Sequence, residues 1–524
     1  MNLLKKLEAF GQSIWFDYIR RNLLTGGELD RLIDEDGVAG ITSNPAIFEK
    51  AIAGSNDYAA TLKELSRRDG LTTRDAYEFL ALADIRDAAD HLHPVFEAST
   101  RRDGYVSLEV SPRLANDTDG TLQEARRLWQ AVDRPNLMIK VPATPAGLPA
   151  IETLLTEGIN VNVTLLFSIV VYEQVAETFI RALERRLEAG VDPGAVASVA
   201  SFFISRIDSA VDSVVDERLA NGADGGERTG LESLQGEVAI ACAKLAYQRF
   251  KQLFGDDRWQ ALADHGARPQ RLLWASTGVK NPQYRDVRYI EELIGPDTVN
   301  TVPPATLDAF RDHGEPRSSL EQDVAAAGQA LETAAALGIP LDAITEQLLD
   351  DGVRKFVAAF DKLLAAVETG IAEARKEHSD RFSYSLPDDL AAAVDRTLDD
   401  WQQNDKGRRL WARDAWLWTG HDEARWMDWL GVTCEQMESL GDLRRLTQGV
   451  EGNYYRHCVL LGMGGSSMAP EVIHAILDRS PGYPELIVLD STDPVEVKAV
   501  EDAIDLEHSL FLVASKSGST LEPN

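Results

Sequence analysis

Within Asn136-Leu137-Met138-Ile139-Lys140-Val141-Pro142-Ala143-Thr144, the stretch 137–141 is largely apolar and is bounded by Pro135 and Pro142. That is the pattern of a parallel strand enclosed on both faces. A lysine at the end of such a strand is expensive to bury, so something must offset it. Desolvation disfavours the charged form of an amine, and a neutral amine attacks a carbonyl to form a Schiff base. A snorkelling lysine, or one held by a carboxylate, is the plain structural alternative.

Working outward from this run, eight short apolar or alternating segments occupy 13–19, 38–43, 105–110, 137–141, 159–167, 196–204, 271–276 and 299–302. Amphipathic helical patterns lie between many of them, at 150–157, 173–189, 237–254 and 289–294. Strand alternating with helix argues a parallel sheet, and eight repeats predict a closed (β/α)8 TIM barrel. In that fold chemistry gathers at the carboxyl ends of the strands. The polar residues at those ends are Asp17, Asn44, Glu109, Lys140, Asn162 with Thr164, Ser201 with Arg206, and Ser276. One buried lysine alone does not predict such a ring.

These segments resemble the transaldolase family. The likeness rests on Ser13-Ile14-Trp15-Phe16-Asp17, Thr42-Ser43-Asn44-Pro45, Val106-Ser107-Leu108-Glu109-Val110, Met138 to Thr144, and Asn162-Val163-Thr164-Leu165-Leu166-Phe167-Ser168. It covers roughly residues 1 to 370. It implies a class I enzyme of the pentose phosphate pathway that moves a dihydroxyacetone unit between sugar phosphates through a lysine Schiff base. The exchange it implies is sedoheptulose 7-phosphate plus glyceraldehyde 3-phosphate to erythrose 4-phosphate plus fructose 6-phosphate, with no cofactor. By the same resemblance Lys140 forms the imine, and Glu109 is the general acid/base acting through a water held by Thr164. Asp17 handles the proton of the breaking bond. Asn44, Asn162 and Ser201 hold the dihydroxyacetone hydroxyls, Arg206 holds phosphate, and Ser276 joins the substrate site. Some family members carry a second arginine after the seventh strand, where this chain has Ser276-Thr277-Gly278-Val279-Lys280. Lys280 takes that phosphate contact here, as a point charge on a flexible stem.

Bland alternatives stand beside these roles. Asp17 fits a helix cap, Glu109 a surface ion pair, and Asn44 before Pro45 simple turn chemistry. A silent sugar-phosphate-binding barrel, or a simple class I aldolase, are the competing functions.

The composition fits an intracellular enzyme. At 524 residues the chain exceeds one typical domain. A net charge of −32 opposes binding to nucleic acid or to an anionic membrane. Cys242, Cys434 and Cys458 are scattered, so neither a disulfide framework nor a metal site is signalled. No signal-peptide core or bilayer-length apolar run occurs, and a cytoplasmic location is expected. Sugar phosphates are the expected partners, and a homo-oligomer is left open.

The character of the chain changes after about Arg375. The barrel is assigned to 1–375, a polar linker to 376–388 and a second α/β part to 389–524. Trp401, Trp411, Trp416, Trp418, Trp426 and Trp429 crowd the start of that part. They are expected to form a helical subdomain core or a domain contact, as aromatics dominate packing. Strand patterns then follow at 457–461, 486–489 and 510–514. The first feeds Gly462-Met463-Gly464-Gly465-Ser466-Ser467, whose glycines let backbone N–H groups approach an anion at a helix start. The third feeds Ser515-Lys516-Ser517-Gly518-Ser519-Thr520, rich in hydroxyls. The two loops resemble glucose-6-phosphate isomerase and its sugar-isomerase relatives. That resemblance implies an incomplete parallel-sheet sugar-isomerase domain in which Gly465, Ser466, Ser515, Lys516, Ser517 and Thr520 hold a sugar phosphate. The family's proton-transfer residues lie downstream of these loops, so isomerase turnover is not expected of this 524-residue chain.

Overall fold

The computed structural model describes residues 2–68, 70–380, 386–450, 454–477, 480–515 and 518. The chain divides into two compact units, Met1–Ser383 and Tyr384–Asn524, each taken by itself below.

In the first unit eight parallel strands close into a barrel in sequence order. They are β1 Gln12–Phe16, β2 Val38–Ile41, β3 Tyr105–Glu109, β4 Leu137–Pro142, β5 Val161–Leu166, β6 Ser198–Phe203, β7 Arg271–Ala275 and β8 Thr298–Val302. Every residue of β3 to β8 is buried, because packed side chains fill the interior and helices cover the outside. This is the reason these strands read as continuous apolar runs. The first strand is shorter than the 13–19 pattern. It ends at Phe16, and the Asp17 amide still donates to the Val302 carbonyl at 2.9 Å, which pins Asp17 at the barrel rim.

The helix after β5 starts at Ile169, ahead of the expected 173, because Ser168 caps it by accepting from the Val171 amide at 3.2 Å. The helix Leu341–Asp380 runs into the first residues of the stretch expected as a linker, 376–388. Lys376 and Glu377 are good helix formers, so polarity there does not end the helix. This helix packs across the helix Pro45–Ala53. Its Gly352 allows a close approach to the barrel, since a Cβ there would lie 2.9 Å from Leu165 Cδ2.

Leu165 itself has φ +63° within β5, where the register with β6 shifts between Val163 and Leu166. A branched residue in the left-handed region costs roughly 1–3 kcal/mol. A bulge at this point re-aims the side chains of the strand end, and Thr164 is the residue beside it.

A buried acid sets a pH response in the same unit. Asp208, on the helix Ser205–Ala220, accepts from the Ala239 amide at 2.7 Å and from the Tyr289 hydroxyl at 2.8 Å. Burial pushes its carboxyl up to about 7, against the pull of those two bonds. A carboxyl raised on folding stabilises fully below its unfolded pKa near 4, and that contribution is lost as pH rises through about 7. The shift corresponds to a loss of about 4 kcal/mol across the window. Asp208→Asn removes the charge, keeps one acceptor oxygen for the Ala239 amide, and places an N–H donor where the Tyr289 oxygen can accept. The variant's melting temperature relative to wild type is expected to rise from about pH 5 to about pH 7 and then level off, and a pH-independent difference would refute this account.

In the second unit three parallel strands, β9 His457–Gly462, β10 Glu485–Leu489 and β11 Ser509–Ala514, form a sheet in the order β10-β9-β11. β9 is central and mostly buried. β11 is an edge strand whose Phe511, Leu512 and Val513 are 44%, 41% and 59% exposed. The tryptophan expectation of a subdomain core fails. Trp411, Trp416, Trp418, Trp426 and Trp429 are each more than half exposed, and Trp401 is half-buried. The short helices around them bury too little apolar surface to enclose five indoles. No single helix among the described residues is long and apolar enough to cross a membrane.

Candidate active site

A cavity of about 530 Å³ opens at the carboxyl ends of the barrel strands. Asp17, Asn44, Lys140, Thr164, Ser201, Arg206, Ser276 and Lys280 all line it, so residues scattered from 17 to 280 converge on one space. Glu109 and Asn162 complete the set from just behind that lining. Glu109, Lys140 and Asn162 are register partners on β3, β4 and β5, which places their side chains side by side at one level of the barrel.

Lys140 is 5% exposed. Its Nζ donates to the Ser43 carbonyl at 3.2 Å, lies 3.6 Å from Glu109 Oε2, and sits 5.8 Å from the centre of the Phe356 ring. The lysine therefore does not snorkel; it is held beside a carboxylate, one buried with it in the barrel. Burial pushes the Glu109 carboxyl up to about 7, opposed chiefly by the Lys140 ammonium and then by Arg206. Its Oε2 is buried without a hydrogen-bond partner among the described residues, as is Thr164 Oγ1. A carboxyl that titrates near neutrality and keeps an open acceptor is suited to proton transfer.

Asp17 is not a helix cap. Its Oδ1 accepts from the Thr42 hydroxyl at 2.7 Å, and Thr42 Oγ1 lies 2.6 Å from Thr301 Oγ1. Burial raises the Asp17 pKa, while Lys140, the Thr42 bond, Arg206 and Lys280 lower it. Asn44 does cap the helix Pro45–Ala53, accepting from the Ile47 amide at 3.0 Å, so its turn chemistry is real while its side chain still faces the cavity. Asn162 donates to Ser107 Oγ at 3.0 Å and accepts from the Ser201 hydroxyl at 2.7 Å. These bonds fix which way its amide faces.

Arg206 stands at the start of the helix after β6, its guanidinium 5.0 Å from the Phe203 ring centre and 6.0 Å from that of Phe356. Burial lowers its pKa, and the negative charges of Asp17 and Glu109 offset this. Its Nη1 is buried without a protein partner among the described residues. Ser276, with φ +57°, lies within 2.9 Å of the Ser205 hydroxyl, and Lys280 is exposed at the mouth. Sequence reasoning gave no role to Thr42, Thr301, Ser107, Lys50 or Phe356. Thr42 and Ser107 stand within two residues of Asn44 and Glu109 in the sequence, so hydroxyls flanking those polar residues were the available signal. Lys50 and Phe356 lie on helices and carried no signal.

In the second unit Ala514 pairs with Gly462, so the loops after β9 and β11 leave the sheet side by side. Gly464 takes φ +58° and Gly465 begins the helix Gly465–Leu477, with Ser466 half-buried in its first turn. Ser515 follows directly on β11. Lys516, Ser517 and Thr520 lie outside the described residues. Among the described residues no cluster of three metal-ligating side chains occurs.

Fold and site together define a parallel-barrel enzyme with a lysine and paired acids at its carboxyl end. The family model described as Transaldolase/Fructose-6-phosphate aldolase matches residues 14–367. Transaldolase 2 of Nostoc sp. (strain PCC 7120) is 50% identical over 371 residues, covering 70% of this chain and 97% of the relative. The transaldolase of Thiobacillus denitrificans is 51% identical over 367 residues, 70% of this chain and all of the relative. Transaldolase 2 of Nostoc punctiforme is 51% identical over 373 residues. The chain belongs to the transaldolase family. Beyond that part, the phosphoglucose isomerase family model matches residues 431–523, so the chain joins a transaldolase part to a stretch of phosphoglucose isomerase type.

Proposed function

We propose that the barrel is a class I transaldolase of the cytoplasmic pentose phosphate pathway, with 1–375 as the catalytic domain. The observation that carries this reading is Lys140, enclosed toward the carboxyl end of β4 with Glu109 Oε2 at 3.6 Å and lining a cavity with Asp17 and Arg206.

Each residue then has a task. Lys140 gives a proton to Glu109 and attacks the ketose carbonyl as the neutral amine, and Glu109 then protonates the carbinolamine hydroxyl, which leaves as water to give the imine. The unpartnered Thr164 hydroxyl supports its assigned part in holding the water through which Glu109 works. The protonated imine accepts the electron pair released when the carbon–carbon bond breaks. Asp17, held by Thr42, takes the hydroxyl proton in that step and returns it when the acceptor aldehyde arrives. Asn44, Asn162 and Ser201 bind the dihydroxyacetone hydroxyls. Arg206 and Lys280 bind phosphate, with Ser276 beside them. Arg206 suits the role because its planar fork matches phosphate oxygens.

The segment of isomerase type, 389–524, is read as a sugar-phosphate binder through Gly465, Ser466, Ser515, Lys516, Ser517 and Thr520. Isomerisation needs a positioned base as well as a phosphate cradle, and these residues supply only the cradle.

Fructose 6-phosphate and erythrose 4-phosphate are expected to give sedoheptulose 7-phosphate and glyceraldehyde 3-phosphate in a coupled assay. Release of free dihydroxyacetone as the main product would replace this reading with the simple aldolase. Absence of any turnover would leave the silent binding barrel.

A further inference from the structure

The opposite end of the barrel carries a second built cavity, of about 240 Å³, around Arg101, Arg102, Tyr105, Arg268, Arg271 and Asp297. These residues stand at or before the amino-terminal ends of β3, β7 and β8, away from the chemistry. Four guanidinium groups around one small space are unexpected in a chain of net charge −32.

Two of the four are neutralised. Arg271 pairs with Asp103 at 2.9 Å and Arg102 with Asp297 at 3.0 Å. The other two have no carboxylate partner among the described residues. Arg268 donates only to backbone carbonyls, those of Thr100 and Gly194, and its Nε is buried without a partner. The Arg101 guanidinium lies 5.9 Å from the Phe96 ring centre, and the Tyr105 hydroxyl anchors the Arg101 carbonyl at 2.7 Å. A structural role for these arginines, tying loop carbonyls together, accounts for Arg268 in part and leaves the exposed Arg101 guanidinium only its contact with the Phe96 ring.

Two uncompensated guanidinium groups beside a cavity leave a local positive field that a compact anion would cancel. Arginine forks match the oxygens of a phosphate group. The volume falls below the roughly 300–1,000 Å³ of pockets that enclose drug-sized ligands, which favours a small oxyanion over a nucleotide. We infer that this cavity is a second anion site, for a phosphate group carried free or at the end of a small metabolite.

Calorimetric titration of the full chain tests it, in an Arg206→Ala, Lys516→Ala background that weakens phosphate binding both at the active site and at the loops of isomerase type. The probes are inorganic phosphate and glucose 1-phosphate, whose blocked anomeric carbon cannot form an imine. Adding Arg101→Ala or Arg268→Ala is expected to weaken binding of at least one probe by tenfold or more. The tighter probe tells free phosphate from a phosphorylated metabolite. Arg101→Ala removes no hydrogen bond of its guanidinium to a described residue, so it keeps the test valid if Arg268→Ala fails to fold. Unchanged binding in Arg101→Ala, or no binding of either probe in the background protein, would overturn the inference.

Discussion

Lys140→Met is expected to abolish the borohydride-trapped adduct with fructose 6-phosphate and to reduce transfer activity to background. The loss should be on the order of 10⁴–10⁶-fold, the scale seen when a covalent nucleophile is removed from an enzyme. In wild type, reduction with the ketose phosphate should place the sugar on Lys140 and on no other lysine, as peptide mass mapping will read. The fold should survive the change. Methionine fills a similar volume with a flexible apolar chain, and the carboxyl it leaves behind is already pushed up to about 7 by burial. Without the Lys140 ammonium, which holds that carboxyl down, Glu109 rises further and is neutral at pH 7. No uncompensated charge is then stranded in the barrel, and the melting temperature should stay within a few degrees. An adduct mapped elsewhere, or activity retained in the variant, would end the assignment. A collapsed fold would instead show that the pair is needed for structure, contrary to the proton argument.

The barrel was legible because its strands are enclosed on both sides, so residues such as 137–141 and 161–166 leave a nearly unbroken apolar signature between helical periods. The charged members of the site stood out for the same reason. Lys140 and Glu109 are expensive where they sit, and an apolar strand makes them visible. The hydroxyls that orient them were not so visible. Thr42, Thr301 and Ser107 carry hydrogen bonds that matter only once β1, β2, β3, β5 and β8 are closed into a ring, and threonine in a strand is ordinary. Phe356 reaches Lys140 and Arg206 from the helix Leu341–Asp380, far along the chain, by a packing that periodicity does not encode. The tryptophan cluster failed for the opposite reason. Aromatic density is a statement about available apolar surface, and burying it takes layers of secondary structure. The described short helices at 406–411, 415–417 and 423–430 do not supply them.

Geometry divides the two acids, and kinetics should divide them likewise. Glu109 lies beside the amine, whereas Asp17 is held by Thr42 on the β1–β2 side of the cavity. Glu109→Gln is expected to slow imine formation, read as the single-turnover rate of borohydride trapping, by about 10²–10⁴-fold, the usual worth of a positioned acid/base. In wild type that rate should turn with an apparent pKa near 7, the value to which burial lifts the carboxyl. The glutamine variant should lose this inflection because it no longer titrates. Asp17→Asn should trap the ketose at close to the wild-type rate yet fail to release the aldose phosphate, since its carboxylate is needed only when the hydroxyl proton leaves with the breaking bond. The covalent intermediate would then persist in Asp17→Asn, and its sugar should retain all the carbons of the donor. If both variants trap equally slowly, the acids act at one step and the separation of roles along the barrel is wrong. If Asp17→Asn accumulates a three-carbon adduct, cleavage does not depend on Asp17, and the proton must leave through another group facing the same cavity.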